Sequence, residues 1–224
     1  KTAQAPAPGS AENLAQILAT ADGGFVLFGD STSFPGRRAW LVKLTAYGSV
    51  AWEKAYATPD ALPVHSACGA SDGGYLVAGG YNYSLWLMKT DSLGSVEWQR
   101  SIPNTCAHGE YGYHVYPAAD SGYFVIGYTE PAEDYDVWVI KVSDTGNVIW
   151  HIAYALTYWE SGACGQPTPG GGCVIAGLSD PAGQGKNQLL VFEVDALGAV
   201  LWQKTYSTAS FTDCEVESIW RTVG

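Results

Sequence analysis

Basic residues and methionine are scarce in this chain: Lys and Arg together number 11 of 224 residues, and Met occurs once. Against them stand 22 acidic residues, so the formal charge is −11. A field of that sign repels phosphate backbones and anionic membrane surfaces, which excludes nucleic acid as an expected partner. Runs of the charged residues that favour helices are missing. No stretch approaches the roughly 18 apolar residues of a membrane-spanning helix. No basic segment precedes an apolar one at the N-terminus, so if a signal peptide existed it is expected to have been removed already. The five cysteines, Cys68, Cys106, Cys164, Cys173 and Cys214, form no C-x-x-C pair, which weakens a zinc-ribbon or thioredoxin reading. Their odd number leaves at least one thiol without an intrachain partner in an oxidising compartment. G-x-S-x-G, H-E-x-x-H and P-loop motifs are also absent.

Glycine (27), tyrosine (14) and tryptophan (9) are plentiful, a composition suited to strands joined by tight turns. Their order repeats. DGGFVLFG begins at Asp22, DGGYLVAG at Asp72, DSGYFVIG at Asp120 and GGGCVIAG at Gly170, at intervals of 50, 48 and 50 residues. A stricter element, G-x-V-x-W, ends at Trp52, Trp98, Trp150 and Trp202. Between the two lie AWLVKL, LWLMKT, VWVIKV and LLVFEV. Each period therefore reads as four strands: one leading into the D-G-G turn, Y-x-V-A-G after it, then W-L-x-K, then V-x-W-x-K. The third is apolar on both faces, as befits a strand between two sheets. In the fourth, Val and Trp are two apart, and period-2 alternation places them on one face. Tandem four-stranded units of this length predict an all-β fold of β-propeller blades, since a stacked solenoid uses shorter repeats. The blades are expected at about 10–58, 61–104, 110–156 and 160–208, within a single propeller domain over 1–224 or a slice of a longer one. Trp52, Trp98, Trp150 and Trp202 are expected to be buried between blades.

The unit D-G-G-Y-x-V-A-G, W-L-x-K, D-x-x-G-x-V-x-W resembles the propeller repeat of secreted and surface-anchored bacterial and archaeal proteins. It is more distantly similar to the tryptophan-docking repeats of quinoprotein dehydrogenases and their cofactor-free relatives. The resemblance implies export and a propeller. A quinoprotein enzyme would need eight blades, a cofactor-stacking Trp and a metal-binding acidic set, which four repeats do not supply. No cofactor is therefore expected.

Both ends fall within a repeat. KTAQAPAPGSAENLAQILATADGG from Lys1 aligns with KTYSTASFTDCEVESIWRTVG from Lys204, so residues 214–224 read as the first strand of a further blade. An unpaired strand of that kind is a template for another chain. Cys214 at its start would permit an intermolecular disulfide. This gives the alternative role, a self-assembling extracellular filament or surface-layer subunit.

The D-G-G and D-x-x-G turns lie on one face of a propeller, and their repetition marks them as structural. Asp22, Asp72, Asp91, Asp120 and Asp144 are expected to accept hydrogen bonds from nearby amides. The opposite face carries the loops that differ between repeats, including Phe34, Tyr81, Tyr83, Tyr111, Tyr113, Tyr135, Tyr158, Trp159 and Phe211. Aromatics on variable loops suit sugar stacking or protein contact, and they equally suit covering blade edges. Tyr81, Tyr83, Tyr111, Tyr135, Tyr158 and Trp159 are the candidate binding residues. Asn82 begins an N-Y-S triplet, a glycosylation acceptor in an exported protein. Glu130, Glu133, Asp134 and Asp136 lack calcium-loop spacing and read as a solvated acidic loop. Cys106 with His108 and the scattered His65, His114 and His151 make no metal set. The expectation is a non-enzymatic extracellular or cell-surface binding or scaffold module, with a protein or carbohydrate partner.

Overall fold

The computed structural model describes residues 12–32, 37–58, 63–80, 84–103, 110–129, 135–156, 160–180, 183, 188–207, 216 and 218–219. Residues 214–224, the expected further strand, lie almost wholly outside that set. Among the described residues are sixteen strands and no helix. The first sheet runs in order β1 (Glu12–Ala19), β2 (Phe25–Ser31), β3 (Arg38–Leu44), β4 (Val50–Ala57). The second is β5 (Val64–Gly69), β6 (Tyr75–Gly80), β7 (Ser84–Thr90), β8 (Val96–Pro103). The third is β9 (Glu110–Pro117), β10 (Tyr123–Thr129), β11 (Asp136–Val142), β12 (Val148–Tyr154), and the fourth β13 (Glu160–Pro167), β14 (Cys173–Ser179), β15 (Gln188–Val194), β16 (Val200–Tyr206). Each is an antiparallel meander of four strands, here called blades 1 to 4. The chain divides into two compact units, Lys1–Tyr81 with Leu85–Ile102 and Asn82–Ser84 with Pro103–Gly224. The first holds blades 1 and 2, the second blades 3 and 4.

The D-G-G turn follows from its residues. The first position needs a left-handed backbone: φ is +76° at Gly23, +83° at Gly73 and +83° at Gly171, and Ser121 adopts 67° in its place. The second position has no room for a side chain. A Cβ on Gly74 would lie 2.0 Å from the Thr90 carbonyl oxygen at the end of β7. The carboxylates of Asp22, Asp72 and Asp120 accept the amides of Gly24, Gly74 and Gly122 at 3.1, 2.8 and 3.1 Å.

Those carboxylates also hold the lysine of W-L-x-K, a partnership the sequence reading missed. Lys43, Lys89 and Lys141 are buried and pair with Asp22, Asp72 and Asp120 at 2.9, 2.6 and 2.5 Å. Lys89 also meets Glu97 at 2.8 Å, and Lys141 lies 4.5 Å from the centre of the Phe124 ring. Blade 4 has Gly170 in place of the Asp, and Glu193 in place of the Lys accepts the Trp202 indole N–H at 2.6 Å instead. The cation and its counter-ion are lost together, because a buried lysine without its carboxylate would be costly.

The third strand is buried as expected, along the whole length of β11 and nearly all of β7. The fourth strand requires a correction. Leu44 pairs with Val50 while Lys43 pairs with Trp52, so Ala51 bulges and Val and Trp fall on opposite faces. The same slip recurs at Ile149 and Leu201. Val50, Val96, Val148 and Val200 are accordingly 40–42% exposed.

Within each unit the blades pack face to face. Val26, Phe28, Ala39 and Leu41 of blade 1 meet Val64, Tyr75, Val77, Trp86 and Met88 of blade 2, with Phe28 edge-on to Tyr75 at 5.6 Å. Phe124, Ile126, Val137 and Val139 of blade 3 meet Cys173, Ile175, Leu190 and Phe192 of blade 4. Gln16 of β1 reaches β5, accepting from the Ala67 amide at 2.8 Å and the Ser66 hydroxyl at 3.1 Å.

The last strand of one blade locks onto the β-turn between the third and fourth strands of the next. Tyr56 Oη donates to the Gly94 carbonyl at 2.7 Å, and Tyr154 Oη to that of Gly198 at 2.7 Å. Trp52 and Trp150 lie over the same turns, and Trp150 Nε1 donates to the Ala196 carbonyl at 3.0 Å. A Cβ on Gly94 would approach the Tyr56 hydroxyl to 2.9 Å and the Trp52 ring to 3.0 Å, so glycine is required for the fit. Tyr56 and Tyr154, four residues beyond Trp52 and Trp150, are the buried members, while Trp52, Trp98 and Trp150 are half-buried. Trp202 departs from the expected burial, being 38% exposed.

Two predictions follow from these contacts. Tyr154→Phe leaves the buried Gly198 carbonyl without its donor and should cost about 1–3 kcal/mol in chemical denaturation; an unchanged midpoint would contradict the join. The second concerns acid. Thr20, Lys43 and the Gly24 amide hold the Asp22 carboxyl well below its usual range. At Asp72 and Asp120 burial pushes the pKa up, but the bonds from Lys89 or Lys141 and from the turn amides outweigh it and the net shift is downward. Stability from these carboxylates is thus present above their unfolded value of about 4 and lost as pH falls through the folded values. Melting temperature should drop below about pH 4, and Asp120→Asn should flatten that limb; a flat wild-type profile would refute the ion pairs' role.

Candidate functional site

The face opposite the D-G-G turns is where the second strand of each blade ends and the first and third begin. Tyr81, Asn82, Tyr83, Tyr158 and Trp159 lie outside the described residues, as do Phe34, Phe211, Glu130, Glu133, Asp134, Cys106 and His108. Tyr111 belongs to β9, where it pairs with Tyr128 of β10. Tyr135 is the candidate binding residue whose side chain is described. It is half-buried and packs edge-on against Tyr128, ring centres 5.2 Å apart. Its carbonyl accepts the Glu160 amide at 2.6 Å, so the chain entering blade 4 is tied to the hairpin that presents it.

Polar side chains collect beneath these loops. In the first unit Asp30, at the end of β2, is buried and held by Arg37 at 3.0 Å and by the Asn13 amide at 3.2 Å. His65 Nε2 donates to the Gly80 carbonyl at 2.7 Å. In the second unit Thr129, Asp136, Glu160, Ser179 and Asp180 are all buried. Thr129 pairs with Asp136 across β10 and β11, and Glu160 with Ser179 across β13 and β14. Part of this was legible and overlooked: Glu12, Glu110 and Glu160 each begin a first strand opposite Ser31, Thr129 and Ser179. A recurrence of Glu at one repeat position was the signal. Asp136, read as part of a solvated loop, is buried because it opens β11.

The turn face is structural. Asp91 accepts from the Leu93 and Ser95 amides at 2.9 and 2.7 Å. Asp195 does the same for Leu197 and Ala199 at 2.8 and 2.9 Å. In blade 3 Ser143 stands at that position, and its Oγ accepts the Asn147 amide at 3.0 Å.

Cys68, Cys164 and Cys173 are free and buried. Burial pushes the Cys164 thiol up to about 11 and Cys173 to about 12, which makes both poor nucleophiles. Among the described residues no three acidic, His or Cys side chains are grouped to hold a metal ion. No described helix is long and apolar enough to cross a membrane.

A single-substitution mutant of Synechocystis apocarotenoid oxygenase superposes on 88% of this chain and 50% of its own, at 9% identity and a TM-score of 0.52. The blades are those of a β-propeller. A protein of unknown function from Bacteroides caccae is 15% identical over 87% of this chain and 82% of its own, with a TM-score of 0.40. A eukaryotic initiation factor is 9% identical over 86% of this chain and 55% of its own, with a TM-score of 0.47. The chain thus spans about half the length of the oxygenase and of the initiation factor. No family model matches the sequence, and no curated protein matches it. At such identities the likeness to the oxygenase is one of fold.

The buried charge at Asp30 gives this face a checkable energy. Arg37→Ala strands the carboxylate and should cost about 1–3 kcal/mol, the guanidinium being partly solvated. Adding Asp30→Asn to Arg37→Ala should recover most of that loss. Additive losses in the double mutant would show that the two side chains do not act as a pair.

Proposed function

We propose that this propeller is a non-enzymatic extracellular binding module that takes a glycan on its variable-loop face. The observation that carries this reading is the Tyr128–Tyr135 pair, set at the end of blade 3 beside the buried Asp136 and Thr129. A tyrosine face stacks on the apolar side of a sugar ring, and its hydroxyl addresses the ring substituents. Repetition on the turn face and variation on the loop face support the same division of labour, scaffold against site. Three buried, weakly acidic thiols and the want of a nucleophile–base motif support a binding role over a catalytic one.

A glycan array followed by calorimetry on the best hit tests the proposal. Tyr135→Ala should weaken binding by about tenfold or more, whereas Tyr135→Phe should retain most of it, because stacking carries the contact. Capture of a protein with no glycan binding would move the ligand class to protein. Glycan binding that survives loss of both Tyr128 and Tyr135 would place the site elsewhere.

A further inference from the structure

The dipeptide Asp-Gly occurs twice in the chain, at Asp22-Gly23 and Asp72-Gly73, each in the turn between the first and second strands of its blade. This link is prone to rearrangement, because glycine places no side chain beside its amide nitrogen. That nitrogen can attack the γ-carbon of the preceding aspartic acid. The new C–N bond closes a cyclic imide, and the carboxyl hydroxyl leaves as water with the amide hydrogen. Water then opens the ring at either carbonyl, which restores aspartate or leaves the chain linked through the side-chain carbon. The sum is an isomerisation, with one water lost and one regained and no change of oxidation state.

The first step needs a protonated carboxyl and a free amide. Burial withholds neither, since the Asp22 and Asp72 side chains are 63% and 51% exposed. Bonds withhold both. Lys43 Nζ lies 3.0 and 2.9 Å from the two carboxylate oxygens of Asp22, and the Thr20 hydroxyl and the Gly24 amide donate to the same group at 2.5 and 3.1 Å. At Asp72 the Lys89 ammonium sits 2.6 Å from one oxygen and the Gly74 amide 2.8 Å from the other. An ammonium so close opposes protonation of the carboxyl, and the other donors fix its orientation. The attacking amides are engaged as well: Gly23 donates to the Thr20 carbonyl at 2.9 Å and Gly73 to that of Ala70 at 3.0 Å.

We propose that Asp22-Gly23 and Asp72-Gly73 are latent isoaspartate sites, each held closed by the buried lysine from the third strand of its own blade. The lysine then guards the covalent chain as well as the turn's shape. Rearrangement adds a carbon to the backbone and shifts the second glycine of the turn. That glycine has no space to spare, since a Cβ on Gly24 or Gly74 would lie 2.2 or 2.0 Å from the carbonyl oxygen of Leu44 or Thr90. Blades 3 and 4 lack the dipeptide, having Asp120-Ser121 and Gly170-Gly171 at this point. The proposal is independent of the glycan reading.

Ageing of the folded 224-residue chain at physiological temperature and pH tests it, with peptide mapping by electron-transfer fragmentation to separate the two linkages at equal mass. The comparators are the free peptides ATADGGFVL and ASDGGYLV, which span the two turns. Both links should rearrange at least about tenfold more slowly in the folded chain than in the peptides. Lys89→Met should speed isoaspartate formation at Asp72 about tenfold and leave Asp22 at its wild-type rate, and Lys43→Met should do the reverse. Each variant thus carries its own control for global unfolding. Thr20→Val removes one donor to Asp22 at nearly constant volume and should speed rearrangement there alone. If a lysine variant fails to fold, the wild-type comparison and Thr20→Val carry the test. Wild-type rates equal to those of the peptides overturn the proposal. So does an unchanged Asp22 rate in Thr20→Val, or a folded lysine variant whose two sites rearrange alike.

Discussion

A four-stranded sheet with two apolar faces is stable only when both are covered, and the contact that fixes the cover here is a tyrosine hydroxyl bonded to a glycine carbonyl. Tyr56 reaches Gly94 and Tyr154 reaches Gly198 at the same distance, 2.7 Å. The bond is directional, so it sets the register of one blade on the next, which apolar packing alone would leave free to slide. The tryptophan four residues earlier shields that bond from water. Glycine at the receiving turn is demanded twice, by the left-handed backbone and by the rings that close over it.

Inside a blade a second device does comparable work. The Asp of the first turn and the Lys of the third strand tie three strands at one end, through the turn amide, the ion pair and the terminal carbonyl of the third strand. Blade 4 shows the rule by its exception, because Asp and Lys disappear together and Glu193 turns to Trp202. In blades 1 to 3 the turn end is thereby pinned, and the segments that differ between repeats lie at the opposite end. There, Asp, Glu, Ser and Thr are buried at the strand ends.

Much of the architecture was legible because repetition multiplies each local signal. Four copies of a turn and of G-x-V-x-W identify four-stranded blades even where single strands are ambiguous. The bulge between Val and Trp was not legible, since pattern counting assumes unbroken alternation and the slip is a property of paired strands. Nor was the burial of Tyr56 and Tyr154, although Tyr recurs four residues after three of the four tryptophans. The Asp–Lys partnership was open to inspection in the joint loss at Gly170 and Glu193. On the loop face Tyr135 was singled out for its type, but the buried acids beneath it depend on where strands begin, which composition does not reveal. Ser143 illustrates the same point, because it takes in blade 3 the turn position that Asp91 and Asp195 hold in blades 2 and 4.

The claim on which the rest turns is that two phenolic hydroxyls are buried in the blade joins. Burial pushes both the Tyr56 and the Tyr154 phenol well above the ordinary value of about 10, since the phenolate would lose its hydration. Carbon-13 labelling of the tyrosine ring carbon that bears the hydroxyl, with assignment by Tyr→Phe replacement, follows each phenol through an alkaline titration. The account predicts that both resonances keep their protonated shifts past pH 10 for as long as the chain stays folded. Ionisation of either near pH 10 in the folded protein would contradict it.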